Sequence, residues 1–236
     1  RLLRITGAWP YLIAIFLNAF VDLGHKIVIQ NTIFKSYDGT AQVVLTALVN
    51  GLILLPFILL FSPAGHVADS YPKVRILRTS AWAAVVVSLG ITVAYYQGWF
   101  WLAFAMTLLL AIQSAFYSPA KYGLVKGLFG KARLAEADGL IQAVTIGAIL
   151  AGTVAFTALF ETWVSSNEQT PAQLLREIAP LGWLLVLNST LQVLTLYRLP
   201  LDNAASSNTP LTWQRYLTGS ALKDNLRIIA HQPVIR

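Results

Sequence analysis

With 236 residues, 56% of them hydrophobic and only 11% charged, and a mean hydropathy of +0.63, the chain is far from a soluble domain, which carries about 25% charged residues. That balance excludes a soluble fold and points to a polytopic membrane protein. The absence of cysteine excludes disulfides and thiolate metal sites. The net charge of +7 gathers in short loops between apolar runs, a mark of membrane topology rather than of a nucleic-acid partner.

The chain opens with Arg1 and Arg4 and then turns apolar, in the manner of a signal peptide. The run over residues 9–34 is too long for one, and no small-residue cleavage site follows it. It is expected to be the first of six membrane spans. Unlike a plain anchor it carries Asn18, Asp22, His25, Lys26 and Gln30. At 3.6 residues per turn, Asn18, Asp22, His25 or Lys26, and Gln30 line one face. An aspartate or lysine near mid-span costs about 2.5–3.5 kcal/mol on insertion scales, so such residues face a protein interior or a wet cavity and are expected to be functional. A structural reading competes, in which Asp22 and Lys26, spaced i and i+4, neutralise each other.

A polar turn over residues 35–42 leads to a second span at 43–68, which carries Gly51, Pro56 and Pro63. The third span is expected at 76–96, followed by a tight Gln97-Gly98 turn and the fourth at 99–122. The fifth covers 140–164 and the sixth 174–199. Small residues recur in the fifth span at Ala143, Gly147 and Ala151, and again at Ala148 and Gly152. That spacing suits close helix packing or a sliding face.

After Pro200 the character changes. Residues 202–210 are a polar Ser/Asn-rich linker, and residues 211–236 suit a basic amphipathic helix on the inner membrane surface. The organisation expected is therefore a six-helix transmembrane bundle at 1–200 and a cytoplasmic linker at 201–236 leading to a second half.

Lysine and arginine set the orientation. With a cytoplasmic N-terminus, that side holds Arg1, Arg4, Lys73, Arg75, Arg78, Lys121, Lys126, Lys131, Arg133, Arg198, Arg215, Lys223, Arg227 and Arg236, fourteen of the 17 basic residues. Lys35 and Arg176 fall on the other side, and both termini are cytoplasmic. Trp99, Trp101, Trp163 and Trp183 fall near outer span ends, as an aromatic belt would.

Two stretches carry motifs. Between the second and third spans stands Gly65-His-Val-Ala-Asp69-Ser-Tyr-Pro-Lys73-Val-Arg75. Its spacing resembles the loop that marks the major facilitator superfamily, with Ser70 where a basic residue is usual and Pro72 where a glycine is usual. The resemblance implies that Gly65 permits close helix contact, and that Asp69, Lys73 and Arg75 form a charge network latching the cytoplasmic side. The bland reading is a positive-inside loop with one aspartate.

At the inner end of the fourth span stands Ser114-Ala-Phe-Tyr-Ser118-Pro-Ala-Lys121-Tyr-Gly123. Pro119 is expected to free a carbonyl and bend the helix. Lys121 either snorkels to the surface or points into a cytoplasm-facing cavity. Together with Ala19-Phe-Val-Asp22, Val67-Ala-Asp69-Ser-Tyr-Pro-Lys73 and Ala137-Asp-Gly-Leu140, this stretch resembles the lysophospholipid transporter family of bacterial inner membranes, a module that also occurs fused to acyltransferase and acyl-carrier-protein synthetase domains. The resemblance runs through most of residues 9–200.

What the resemblance implies is an all-α major-facilitator half that moves lysophospholipids, chiefly lysophosphatidylethanolamine, from the outer to the inner leaflet for reacylation. A headgroup with a phosphate and an ammonium needs a cation and an anion in one cavity. Lys121 or Lys26 supplies the first and Asp22 the second. Gln142 completes the candidate substrate site. Asp22 also suits a coupling sodium ion or proton, and no other cofactor or metal is expected. The implied partners are the lysophospholipid, membrane lipids, a C-terminal six-helix half and a fused acyltransferase or synthetase.

A drug or sugar facilitator is the alternative within transport, although the fifth span lacks the proline that drug antiporters of this superfamily usually carry there. A membrane anchor for an acyltransferase would have no need of Asp22, His25 and Lys26 within a span. His25, His66 and His231 are far apart in sequence and no HExxH, GxSxG or P-loop spacing occurs, so the chain is not expected to be an enzyme.

Overall fold

The computed structural model describes residues 2–164 and 170–200; the linker and amphipathic helix expected over 201–236 lie outside the described residues. Among the described residues eight helices follow in order: α1 (Ala8–Ser36), α2 (Gly39–Leu59), α3 (Phe61–Ser70), α4 (Lys73–Gln97), α5 (Phe100–Phe129), α6 (Leu134–Trp163), α7 (Pro171–Glu177) and α8 (Leu181–Tyr197). Short 3-10 turns sit at Leu2–Arg4 and Lys131–Arg133, and no strand occurs among the described residues. Helices α1, α2, α4, α5 and α6 are each long and apolar enough to cross a membrane, and α7 with α8 form a sixth crossing when taken as one span bent by 60°. The protein is an all-α multi-pass membrane protein.

Two expected spans are broken, and proline explains both. The stretch read as one span over 43–68 divides at Leu60 into α2 and α3. Pro63 has no N–H and would clash in the middle of a continuous helix, but it fits the first turn of α3, where that N–H has no partner to lose. Most of the expected loop over 65–75 is therefore helical. The sixth span breaks before α8, at Pro180, because a residue preceding proline is driven away from helical backbone. Pro119 lies inside α5, which runs through it for 30 residues.

The turn between α4 and α5 is as tight as Gln97-Gly98 suggested. Gly98 has φ +70°, and a Cβ there would lie 2.7 Å from the Ala172 carbonyl, so α7 closes directly over the turn. Arg176 of α7 fixes the contact by donating to the Gln97 carbonyl at 3.0 Å. Thr170 and Gln173 form a capping box that starts α7, with Pro171 in its first turn.

The helix ends sort as the charge pattern expects. Arg78 of α4 donates to the Leu199 carbonyl at 2.8 Å, just past the end of α8. Tyr11 of α1 donates to the Lys121 carbonyl of α5 at 2.6 Å. These contacts gather Arg4, Lys73, Arg75, Arg78, Lys121, Lys126 and Arg198 at one end of the bundle. Lys35 and Arg176 lie at the other, where Lys35 pairs with Glu161 at 2.9 Å. Trp99, Trp101, Trp163 and Trp183 are exposed at that second end.

Helix α1 packs against α6 through small residues. A Cβ at Gly24 would overlap the Phe156 ring at 2.4 Å, and one at Gly152 would touch the Phe20 carbonyl at 3.4 Å. Ala148 and Gly152 thus form the buried packing stripe, whereas Ala143, Gly147 and Ala151 are exposed. The outer faces of α2 and α6, including Val43, Leu54 and Ile58 and then Ile146, Leu150 and Val154, carry large exposed apolar side chains.

Candidate functional site

The buried apolar side chains fall into two clusters, one toward each end of the bundle. The first takes Ala8–Ile15 positions of α1, Val74–Val85 of α4, Tyr117–Phe129 of α5 and Val193–Leu196 of α8. The second takes Val21–Ile33 of α1, Ile91–Tyr95 of α4, Phe100–Leu110 of α5 and Leu181–Leu185 of α8. Between them, at the middle of all four helices, lies a layer of polar side chains: Asn18, Ser88, Gln113, Ser114, Asn188, Ser189 and Gln192, all buried.

Asn18 is its hub. Its Nδ2 donates to the Asp22 carboxylate and to the Ser114 hydroxyl, both at 3.2 Å. Its Oδ1 accepts from Gln113 at 3.2 Å and from Gln192 at 3.0 Å. Ser114 in turn donates to Asp22 Oδ2. One amide thus ties α1 to both α5 and α8. Beside the hub, Asn188 donates to the Leu17 carbonyl at 2.7 Å, and Ser88 and Ser189 bond each other at 3.1 Å. In a membrane interior unpaired polar groups are expensive, so such a layer fixes the relative rotation of the helices that carry it.

Asp22 is left half satisfied. Its Oδ2 takes the bonds from Asn18 and Ser114, while Oδ1 is buried with no hydrogen-bond partner among the described residues. Asp22 lines a cavity of about 100 Å³ with Lys26, His25, Phe57, Thr107 and Ser114. That is room for several waters or a small cation. A carboxylate with one oxygen held and the other open suits a proton, a sodium ion or an ammonium group. No group of three or more His, Asp or Glu among the described residues is placed to hold a metal ion in the manner of a metal centre.

The other candidates separate. No ion pair joins Asp22 and Lys26 among the described residues, so the neutralising pair that competed with the functional reading is not formed. Lys26 is half-buried at the cavity and Gln30 is half-buried further along α1. His25 is among the residues that line the cavity, yet both of its ring nitrogens bond to other helices. It is fully buried against α4 and α5, where with Nε2 protonated it donates to the Ala103 carbonyl at 3.0 Å and accepts from the Tyr95 hydroxyl at 2.7 Å. Thr107 approaches the same Nε2 at 3.2 Å. At this position the 3.6-residue period gave the right side of the helix too coarsely, since one turn spans both the cavity and the α4–α5 seam.

Lys121 stands seven residues on from Ser114 along α5, the helix whose Ser114 holds Asp22. Its ammonium sits over the Tyr122 ring, 4.6 Å from the centroid. Gln142 of α6 donates to the Tyr122 hydroxyl at 2.9 Å, so Tyr122 links the lysine and the glutamine across α5 and α6. In the motif over 65–75, a Cβ on Gly65 would meet nothing within 4 Å, which removes the close contact expected there. Asp69 is exposed near the end of α3, and Ser70 donates back to the His66 carbonyl. Lys73 is buried, its side chain lying over Gly123, and Arg75 is exposed.

Gln113, Ser114 and Gln192 are the site residues that sequence reading missed. Each is a polar residue set alone or in a pair within an apolar span, a signal as legible as Asn18 once spans four and six are weighed like span one.

Comparison with known proteins agrees with the motifs. Over 153 residues, 63% of this chain, the sequence is 33% identical to a protein named lysophospholipid transporter LplT of Salmonella heidelberg (strain SL476). The match to the proteins of that name from Salmonella newport (strain SL254) and Salmonella typhi has the same identity and extent. The matched stretch spans 35% of the length of these relatives. No family model matches the chain, and no solved structure matches it. Along those 153 residues the chain is similar to lysophospholipid transporters, the family that its motifs resemble.

Proposed function

We propose that the protein is the N-terminal six-helix part of a major-facilitator transporter that moves lysophospholipids, lysophosphatidylethanolamine among them, from the outer to the inner leaflet of a bacterial inner membrane. The observation that carries this reading is the half-satisfied Asp22 carboxylate at the centre of a membrane bundle, with Lys121 two turns along α5 from the Ser114 that holds it. The relatives' printed name supports the substrate class. Asp22 takes the substrate ammonium or a coupling sodium ion or proton, and Lys121 takes the phosphate. The acyl chain stays among lipids, so no sealed apolar pocket is needed. The uncovered faces of α2 and α6 suit a second six-helix half across the transport path, and a downstream acyltransferase or synthetase would consume the product. Both termini of the bundle lie on the cytoplasmic side in this reading, in line with the basic end of the fold.

The test is uptake of labelled lysophosphatidylethanolamine by the full-length protein in vesicles. Asp22→Asn keeps the size of the side chain and should abolish uptake while the protein still inserts and folds. Running the assay with a sodium gradient alone and a proton gradient alone identifies the ion. Uptake at the normal rate in the Asp22→Asn variant overturns the reading.

A further inference from the structure

We propose a second lipid site on the flank of the bundle, separate from the Asp22 cavity but reaching Gln113 of the central layer at its inner end: a groove that seats one acyl chain of an anionic phospholipid and holds its phosphate on Arg75. The groove lies where α3, α4 and α5 meet and has a volume of about 560 Å³. That is within the range of about 300–1,000 Å³ that holds small ligands. Its α4 wall is the stripe Arg75, Thr79, Ala83 and Val87, each four residues on from the last. Phe116 and Leu109 of α5 form the facing wall.

Length identifies the occupant. From Arg75 to Val87, α4 rises about 18 Å at about 1.5 Å per residue. Half of a hydrocarbon core about 30 Å thick is about 15 Å. The groove thus runs from the basic end of the bundle to its middle, the depth of one leaflet. An acyl chain has that length, and Ala83 leaves the trough open at its centre.

Charge identifies the headgroup. Three cations sit in the first turns of α4, and two are already engaged. Lys73 is buried along Gly123, and Arg78 donates to the carbonyls of Leu196 and Leu199. Arg75 is exposed at the mouth, with no ion-pair or hydrogen-bond partner for its guanidinium among the described residues. An unneutralised guanidinium at headgroup depth suits a phosphate, which it can meet with two parallel hydrogen bonds. The site needs only the membrane setting, so it stands or falls separately from transport at Asp22.

Native mass spectrometry of the full-length protein, titrated with phosphatidylglycerol or phosphatidylcholine, tests it. The wild type should hold phosphatidylglycerol about fivefold more tightly than phosphatidylcholine, the scale of one basic residue at a membrane surface. Arg75→Gln should erase that preference and leave residual binding of both lipids. Ala83→Trp, which fills the trough, should reduce retention of both at least tenfold. Val86→Trp, on the exposed face outside the groove, should change neither. Full retention in Ala83→Trp, or an unchanged preference in Arg75→Gln, overturns the proposal. So does displacement of phosphatidylglycerol by an equal concentration of lysophosphatidylethanolamine, which would make the groove part of the transport path.

Discussion

Asn18 is the side chain on which the central layer depends, and replacing it by leucine measures how much. Leucine is of similar size, so the main loss is polar. Asn18→Leu removes four hydrogen bonds, to Asp22, Ser114, Gln113 and Gln192. Side-chain hydrogen bonds between membrane helices average about 0.6 kcal/mol each, so four together amount to about 2 kcal/mol. Asn188→Leu makes the same chemical change in the same layer but removes one bond, to the Leu17 carbonyl, and should cost about 0.6 kcal/mol. Reversible unfolding of the full-length protein in mixed detergent micelles, followed by circular dichroism, reads both. The two variants should therefore differ by more than 1 kcal/mol. A double-mutant cycle of Asn18→Leu with Gln192→Leu should also show coupling, because the two residues share a bond. Equal losses for Asn18→Leu and Asn188→Leu, with no coupling in the cycle, would refute the hub.

Three further outcomes follow from other parts of the fold. Gly98→Ala should lower stability by about 1–2 kcal/mol, since a left-handed backbone and the Ala172 carbonyl both oppose a Cβ; an unshifted unfolding curve would mean that α7 does not close over the turn. His25→Leu should destabilise the fold by about 1–3 kcal/mol by leaving the buried Tyr95 hydroxyl without its acceptor, while the remaining folded protein transports normally; lost uptake at unchanged stability would return His25 to the transport path. The chain has no native cysteine, so single cysteines at Gln97 and Lys126 can be labelled cleanly, and they should react from opposite sides of the membrane.

Membrane class, the number of apolar runs and the end of the bundle on which the described loop lysines and arginines lie were all legible in the sequence, because hydropathy and loop charge are local sums that need no knowledge of neighbours. Asn18 and Asp22 could be picked out for the same reason: a polar residue in lipid is anomalous wherever its helix points. The ends of the helices were less legible. Pro56 and Pro119 lie inside helices while Pro63 and Pro180 stand at the breaks of two expected spans, and residue type alone does not separate the two cases. What only the tertiary structure decided is which polar residues meet. Asn18, Gln113, Ser114 and Gln192 converge because helix rotation is set by packing, with Phe156 seated against Gly24 and Gly152 against Phe20. The same rotation ties the His25 ring to Tyr95 while Asp22, His25 and Lys26 all line the cavity. A helical period of 3.6 residues fixes which residues share a side of α1, but not toward which neighbour that side is turned.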